Sequence, residues 1–411
     1  MVDSRQSPGS IVPRIALLVI QPTPFCNIDC SYCYLPDRRS KAMVTTETLV
    51  NLFSQIFASG WVGDRLSVVW HAGEPMVVPV GFYRDAFRMI DRIKPNRLTV
   101  EHSFQTNGTL IDETWCKFFI EQRVNVGVSI DGPKHLHDRH RVTRSGAGTF
   151  DRTIAGVRLL RRRHVPFHVI SVLTTESLAA PQEMFDFYVA EGIEAVCFNV
   201  EESEGSHVSG CFSDNDVEGA YYRFLSEFWR LSAAFPGRLA FIREIEDTIE
   251  QVIRPKDIPF GNQLVEPFAI ISMDWAGNIA TFSPELVGLK NAEYDDFMLG
   301  NINRDALIDL PHRPNLARMM KDIGAGVELC RQSCEYFSVC GGGEPVNKLA
   351  ENGTFASSET KYCRLTKMRT TDLVLDALER ARPIGFEGVG SGVSGIALPA
   401  EANRHGMGAR E

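Results

Sequence analysis

The 411-residue sequence lacks any clean apolar run near its start longer than Ile15–Ile20, which is far too short to span a bilayer. No basic segment leads into a long apolar stretch, so a secretory signal peptide is not expected. Positive charge is not in excess: 43 Lys and Arg stand against 52 Asp and Glu, for a net charge of -9. That balance argues against nucleic acid or an anionic membrane as the main partner. No repeat with a period of about 20–50 residues stands out, which argues against solenoid and propeller arrays. What remains is ordinary globular composition, 44% hydrophobic and 23% charged. At about 150 residues per domain, the length suggests two or three domains. A cytoplasmic location is the expectation.

The chain alternates between two kinds of segment. Short runs rich in Val, Ile or Phe occur at Arg14–Ile20, Arg65–His71, Leu98–Gln105, Val124–Ile130, Phe167–Thr174 and Ala195–Val200. Amphipathic stretches lie between them. Thr45 is placed to cap a helix that Gly60 ends, with Leu49, Phe53, Ile56 and Phe57 on one face. Further helices are expected at Phe82–Ile93, Asp112–Gln122, Thr149–Arg163 and Pro181–Glu191. Six β/α units in a row imply an α/β fold with a parallel sheet or barrel. Ser203–Asp216 reads as a loop and Val217–Ala234 as a long aromatic-rich helix. Ile270–Met273 and Ile279–Phe282 flank a hairpin turn with Gly277, and a last helix is expected at Thr366–Ala381. The expected divisions are an N-terminal extension at 1–13, a partial barrel at 14–215 and a helical connector at 216–261. A small cysteine-rich domain at 262–381 and a disordered tail at 382–411 complete them.

Seven of the ten cysteines fall into two groups. Cys26, Cys30 and Cys33 directly follow the first strand. Cys330, Cys334, Cys340 and Cys363 form the second group. Cys116, Cys197 and Cys211 stand alone and read as small buried hydrophobes. Clustered cysteines in a cytoplasmic chain point to metal binding rather than disulfides. In barrels of β/α units, functional groups sit on the loops after the strands. Here those loops carry His71–Pro75, Gln105–Gly108, Ser129–Pro133 and, after the sixth strand, Glu201 and Glu202. Three thiolates leave one iron of a four-iron cluster open for a ligand, whereas a structural zinc site would more naturally supply four donors. Taken singly, the Gly-Glu-Pro, Asn-Gly and Asp-Gly-Pro segments are turn signals. Their convergence after a cysteine triplet points to chemistry.

This set resembles the signature of radical S-adenosylmethionine (SAM) enzymes over about Arg14–Val200. The resemblance implies a partial (β/α)6 TIM-like barrel in which Cys26, Cys30 and Cys33 hold a [4Fe-4S] cluster whose open iron binds SAM. It implies a 5′-deoxyadenosyl radical that abstracts hydrogen. Tyr32 matches an aromatic position near the adenine. Ala72-Gly73-Glu74-Pro75 resembles the family's Gly-Gly-Glu-Pro, which binds the SAM amino group, with Ala in place of the first Gly. Asn107, Ser129 and Asp131 resemble contacts to the ribose and methionine portions, and Val172 or Leu173 would line the adenine pocket.

The second group resembles the SPASM domain, the cysteine-rich extension of peptide-modifying radical SAM enzymes, over roughly residues 262–380. The typical domain holds two auxiliary clusters on seven cysteines. Here a cysteine expected four residues after Cys340 is Glu344, and another is missing from Thr281–Glu285. One auxiliary [4Fe-4S] cluster on Cys330, Cys334, Cys340 and Cys363 is therefore expected, with zinc the chemical alternative. The segment from Cys340 to Arg364 looks closest to maturases of ribosomally made peptides, the glycine-rich-repeat and FxsB-type systems, several of which are similar to cyclophane synthases. The resemblance implies a precursor peptide as substrate and an external electron donor such as flavodoxin or ferredoxin. It also implies a carboxylate base, for which Glu285 comes first, then Glu201, Glu202 and Glu344. The 13 residues before the first strand are too few for a winged-helix leader-binding domain, so leader recognition is expected on the barrel or SPASM surface or on another protein. An anaerobic sulfatase-type maturase is the enzymatic alternative, and a zinc-stabilised binding protein the non-enzymatic one.

Overall fold

The computed structural model describes residues 13–203, 207, 209–211, 215–255 and 261–381. The expected tail at 382–411 and nearly all of the extension at 1–13 lie outside the described residues. Ten strands form one sheet: β1 (Ile15–Ile20), β2 (Val62–Trp70), β3 (Thr99–Thr106), β4 (Asn125–Ser129), β5 (Phe167–Leu173), β6 (Ala195–Val200), β7 (Phe241–Ile242), β8 (Ile270–Met273), β9 (Asn278–Thr281) and β10 (Gly300–Asn301). Their order is β10-β9-β8-β1-β2-β3-β4-β5-β6-β7. Neighbours from β1 to β7 are parallel, each joined through at least one helix, which makes a partial barrel of β/α units.

Local sequence explains the elements. The Thr46–Ser59 helix is capped by Thr45, whose side chain accepts from the Thr48 N–H, and it ends at Gly60 in the left-handed region. On β1, Leu18 and Ile20 face the helices, while Leu17 and Val19 face the other way. Outside the sheet, Trp70, Tyr83, Phe104, Trp115 and Phe118 interlock edge to face, with Phe87 and Phe119 tilted against them. Each buried ring contributes about 1.5–3 kcal/mol. Inside, Leu17, Val19, Val69 and Ile270 form a smaller cluster. The upper edge of β6 is closed by side chains: Phe198 N–H donates to Glu244 and its carbonyl accepts from Arg243. That pair blunts an edge that would otherwise present open backbone groups.

Three features go beyond the sequence expectation or differ from it. First, the hairpin joins the barrel sheet. β8 pairs parallel with β1, so the cysteine-rich region grows out of the barrel sheet rather than beside it. Second, a 20-residue helix, Pro314–Ser333, which the sequence reading did not expect, carries Cys330 of the second cysteine group in its last turn. Third, the final helix begins at Thr370, after a π-helical stretch over Arg364–Arg369.

His137 gives a stability prediction. It is fully buried, its Nδ1 accepts from the Asp131 N–H, and its Nε2 bonds the Thr149 hydroxyl, which itself donates to the Arg141 carbonyl. Burial disfavours the cation and pushes its pKa down to about 4; protonation would also set one N–H against another. The unfolded chain takes up this proton near pH 6.5, while the folded chain resists until about pH 4. The stability is therefore full above pH 6.5 and is lost as pH falls to 4, by about 3 kcal/mol in total. Urea unfolding at pH 7.5 and 4.5 should show a smaller difference in His137→Gln than in the wild type. An equal difference would refute the assignment.

Candidate active site

The C-terminal ends of β1 to β6 bring the predicted segments to one mouth. The first cysteine loop lies along residues 140–143. Asp29 N–H donates to the Val142 carbonyl, Ser31 N–H to the His140 carbonyl, and Ile28 bridges Thr143. Arg144 donates to the Cys26 carbonyl at 2.7 Å, and Arg38 pairs with Asp29 at 2.8 Å. Burial pushes the Cys26 thiol up to about 12 and the Cys30 thiol up to about 11. Metal loading here must displace protons.

The loop after β2 packs against this one. Glu74 N–H donates to the Phe25 carbonyl at 2.8 Å. A Cβ on Gly73 would sit 2.3 Å from the Thr23 carbonyl oxygen, so only glycine fits. The Glu74 carboxylate is 1% exposed and accepts from Met76 N–H, Thr106 Oγ1 and Asn107 N–H. Burial raises its pKa, and those three donors offset part of the rise. Glu74 thus binds the β2 and β3 loops to each other. Asn107 donates to Asn27 at 2.8 Å and lies 3.8 Å from the Cys26 sulfur. Ala72 holds φ 64, where glycine is at ease and alanine is not. Relief of that strain, about 1–2 kcal/mol, outweighs glycine's extra chain entropy of about 0.4–1 kcal/mol. Ala72→Gly should therefore raise the melting temperature slightly; a drop would show that the Ala72 methyl makes contacts worth more than the strain.

Arg141 was missed by sequence reasoning. Its guanidinium is bidentate on Asp131 at 2.8 and 3.0 Å, lies 3.9 Å from the Cys30 sulfur, and stands over the Tyr32 ring. Asp131 also accepts from the Tyr32 hydroxyl and from Val172 N–H. Burial would push the Asp131 carboxyl up, but the Arg141 charge wins and holds it below its usual value. These four donors fill the acceptor sites of the carboxylate. Asp131 therefore fastens the cysteine loop to β4 and β5. Leu173 departs from the sequence expectation. Its side chain is fully buried in the helix-facing core, and strand alternation turns Val172 inward instead. Ser129 accepts from Gln105 at 3.0 Å and stays half-buried.

The candidate bases differ in their surroundings. Glu201 is buried against His207, at 2.9 Å. Glu202 accepts from Asn347 at 2.5 Å. Glu344 pairs with Lys367 at 3.2 Å. Glu285 sits half-buried in a single 3-10 turn after β9 and accepts from Ser283.

The second cysteine set gathers where the Pro314–Ser333 helix ends. Cys334 N–H donates to the Cys330 carbonyl, and Cys340 closes the short helix that precedes Gly341–Gly343. Burial raises the Cys334 and Cys363 thiols, and so do neighbouring thiols of the set, Cys330 and Cys340 on Cys334 and Cys340 on Cys363. Three consecutive glycines with positive φ wrap this corner, and a Cβ on Gly342 would meet Val327 at 2.9 Å. Among the described residues, no three His, Cys, Asp or Glu side chains converge as a single ion requires. Four thiolates supply one donor to each iron of a four-iron cluster, and the same donor set suits a zinc ion.

Comparison with known proteins agrees with this geometry. The Radical SAM superfamily profile matches residues 20–188. The uncharacterized protein sll1766 of Synechocystis sp. is 40% identical over 369 residues, covering 89% of this chain and 92% of that protein. A serine-type anaerobic sulfatase-maturating enzyme of Bacteroides thetaiotaomicron is 24% identical, over 79% of this chain and 81% of its own. Native anSMEcpe with bound AdoMet and Cp18Cys peptide superposes with a TM-score of 0.73 at 20% identity, covering 90% and 98% of the two chains. Streptococcus suis SuiB bound to its precursor peptide SuiA gives 0.58 at 15% identity, covering 86% and 76%. At such identities the two structures show the fold alone. Among the described residues, no helix is long and apolar enough to cross a membrane. With its cysteine loop, its strand-end motifs and its partial barrel, the chain belongs to the radical SAM superfamily of enzymes.

Proposed function

We propose that this is a cytoplasmic enzyme that modifies a ribosomally synthesised precursor peptide, joining an aromatic ring carbon to the β-carbon of a nearby side chain. The observation that carries the reading is the meeting of Cys26, Cys30 and Cys33 with Gly73, Asn107 and the Asp131–Arg141 pair at one barrel mouth, with a second, four-cysteine set beyond it. Peptides bound to SuiB and anSMEcpe support the substrate class. Cys26, Cys30 and Cys33 would hold the SAM-binding [4Fe-4S] cluster and the second set an auxiliary one; together with SAM they supply a hydrogen-abstracting radical and an electron acceptor. An external flavodoxin or ferredoxin would supply the electron that starts the cycle.

The chain's own residues do the rest. Gly73 lets the loop after β2 pack directly on the Thr23–Phe25 backbone of the cysteine loop, and Glu74 fixes the loops around it. Tyr32 offers its ring to an adenine. Glu285 takes the proton lost by the aromatic ring, because Ser283 orients its carboxylate while Glu201 is held by His207. Glu285→Gln should keep the iron and the SAM cleavage of the wild type but lose product by about 10²–10⁴-fold, the usual worth of a general base. Unchanged product formation would remove Glu285 from that role.

A second reading is formylglycine formation, favoured by the sulfatase-maturating relative. Glu344 and the Thr281–Glu285 segment stand against it, since cysteines are expected there in that family. The test is anaerobic reconstitution with iron and sulfide, then SAM, reductant and a synthetic peptide carrying an aromatic residue close to Ser, Cys and aliphatic side chains. About eight irons per chain and a linear-to-cyclic peptide losing two hydrogens support cross-linking. A product of the same mass that reacts with hydrazine supports an aldehyde instead. No SAM cleavage would end both readings.

A further inference from the structure

Lys348 is 3% exposed, an unusual place for an ammonium. Its Nζ lies 3.3 Å from the Cys330 sulfur and 3.1 Å from the Gly326 carbonyl oxygen. None of the described ion pairs includes it. The surroundings are shaped around this contact. A Cβ on Gly326 would sit 2.2 Å from the Phe355 carbonyl oxygen, 2.9 Å from that of Ser357 and 3.3 Å from Nζ itself. Lys348 belongs to the Pro345–Asn352 helix and Cys330 to the Pro314–Ser333 helix, so the contact joins two elements.

An ammonium taken out of water without an anion costs several kcal/mol. A carbonyl oxygen compensates only part of that. The remaining partner in reach is Cys330, and only its thiolate carries the needed charge. We propose that Lys348 is a positioning residue for the group held by the second cysteine set: it donates to the Cys330 thiolate and keeps a fixed positive charge beside the group. The inference rests on that set holding a [4Fe-4S] cluster. A nearby cation stabilises the more negative, reduced state, so it raises the reduction potential. The direction suits the task. A group that must receive an electron works better when its reduced form is favoured.

The test uses the full chain carrying Cys33→Ala, which empties the first set without disturbing Arg141, so that the cluster signal belongs to the second set. Iron per chain and an EPR-monitored redox titration are read after anaerobic reconstitution. Lys348→Met and Lys348→Gln should keep their iron and move the midpoint to more negative potential, with Lys348→Arg staying nearer the parent. Loss of iron in Met and Gln but not in Arg would support the same role, since the charge would then be required for assembly. A midpoint unmoved by Met and Gln would overturn the proposal. So would an Arg variant that shifts as far as Met, or loss of iron in all three, because shape rather than charge would then decide. If the cysteine-substituted parent itself takes up no iron, the cluster reading fails first, and visibly apart from any Lys348 effect.

Discussion

Replacing Arg141 with methionine is expected to destabilise the protein by about 3–5 kcal/mol, because it leaves the Asp131 carboxylate buried without its countercharge. The side chains are 7% and 4% exposed, so water cannot substitute for the lost partner. A typical domain has only about 5–15 kcal/mol of net stability, so this one change consumes a large part of it. The effect should not stop at stability. Arg141 also touches Cys30 and underlies the Tyr32 ring, so the cysteine loop should loosen and iron retention should fall. Asp131→Asn should cost a similar amount, and the double variant should cost less than the sum, since each residue's penalty is the other's stranded charge. Urea unfolding of the four proteins measures all three terms. Strict additivity would show that the pair is not coupled in the way its geometry indicates.

Much of the fold was legible because β1 and β6 are buried along almost their whole length and read as short apolar runs, while β2 ends on one, Val68-Val69-Trp70. Five of the six strand assignments shifted at an end by only one to three residues, and β6 not at all. The capping residues Thr45 and Gly60 worked locally, so local sequence revealed them. Arg141 was not legible for the opposite reason. It sits in a basic stretch without apolar period, and its role arises from two backbone hydrogen bonds that lay the cysteine loop against residues 140–142. That contact spans more than a hundred residues of chain. The docking of β8 on β1 is of the same kind: a hairpin pattern says that two strands pair, not which sheet they join. Lys348 was visible only as a residue near glycines and cysteines. Its burial depends on Gly326, 22 positions earlier, having no side chain. Leu173 and Val172 could not be separated by composition, yet one residue of register decides which faces the barrel interior.

Separating the two cysteine sets is the second large effect, and the structure says which cysteines to use. Cys30 is a poor choice because its removal also disturbs Arg141, and Cys330 is worse because its removal strands the Lys348 charge. Cys33 and Cys334 are cleaner. Cys33 is tied to its loop by a single backbone hydrogen bond to Cys30, and Cys334 lies at a helix end with no buried cation against its sulfur. Cys33→Ala should lower iron from about eight to about four per chain and reduce 5′-deoxyadenosine formation to background. Cys334→Ala should lose a similar amount of iron, yet still cleave SAM, while the peptide cross-link disappears. The two sets sit on different elements, the loop after β1 and the end of the Pro314–Ser333 helix, so each loss should leave the other set filled. If Cys334→Ala abolished SAM cleavage as fully as Cys33→Ala, the second set would be needed for the first step of the reaction rather than the last. If neither variant lost iron, the cysteines would not be ligands, and the strand-end convergence would need another explanation.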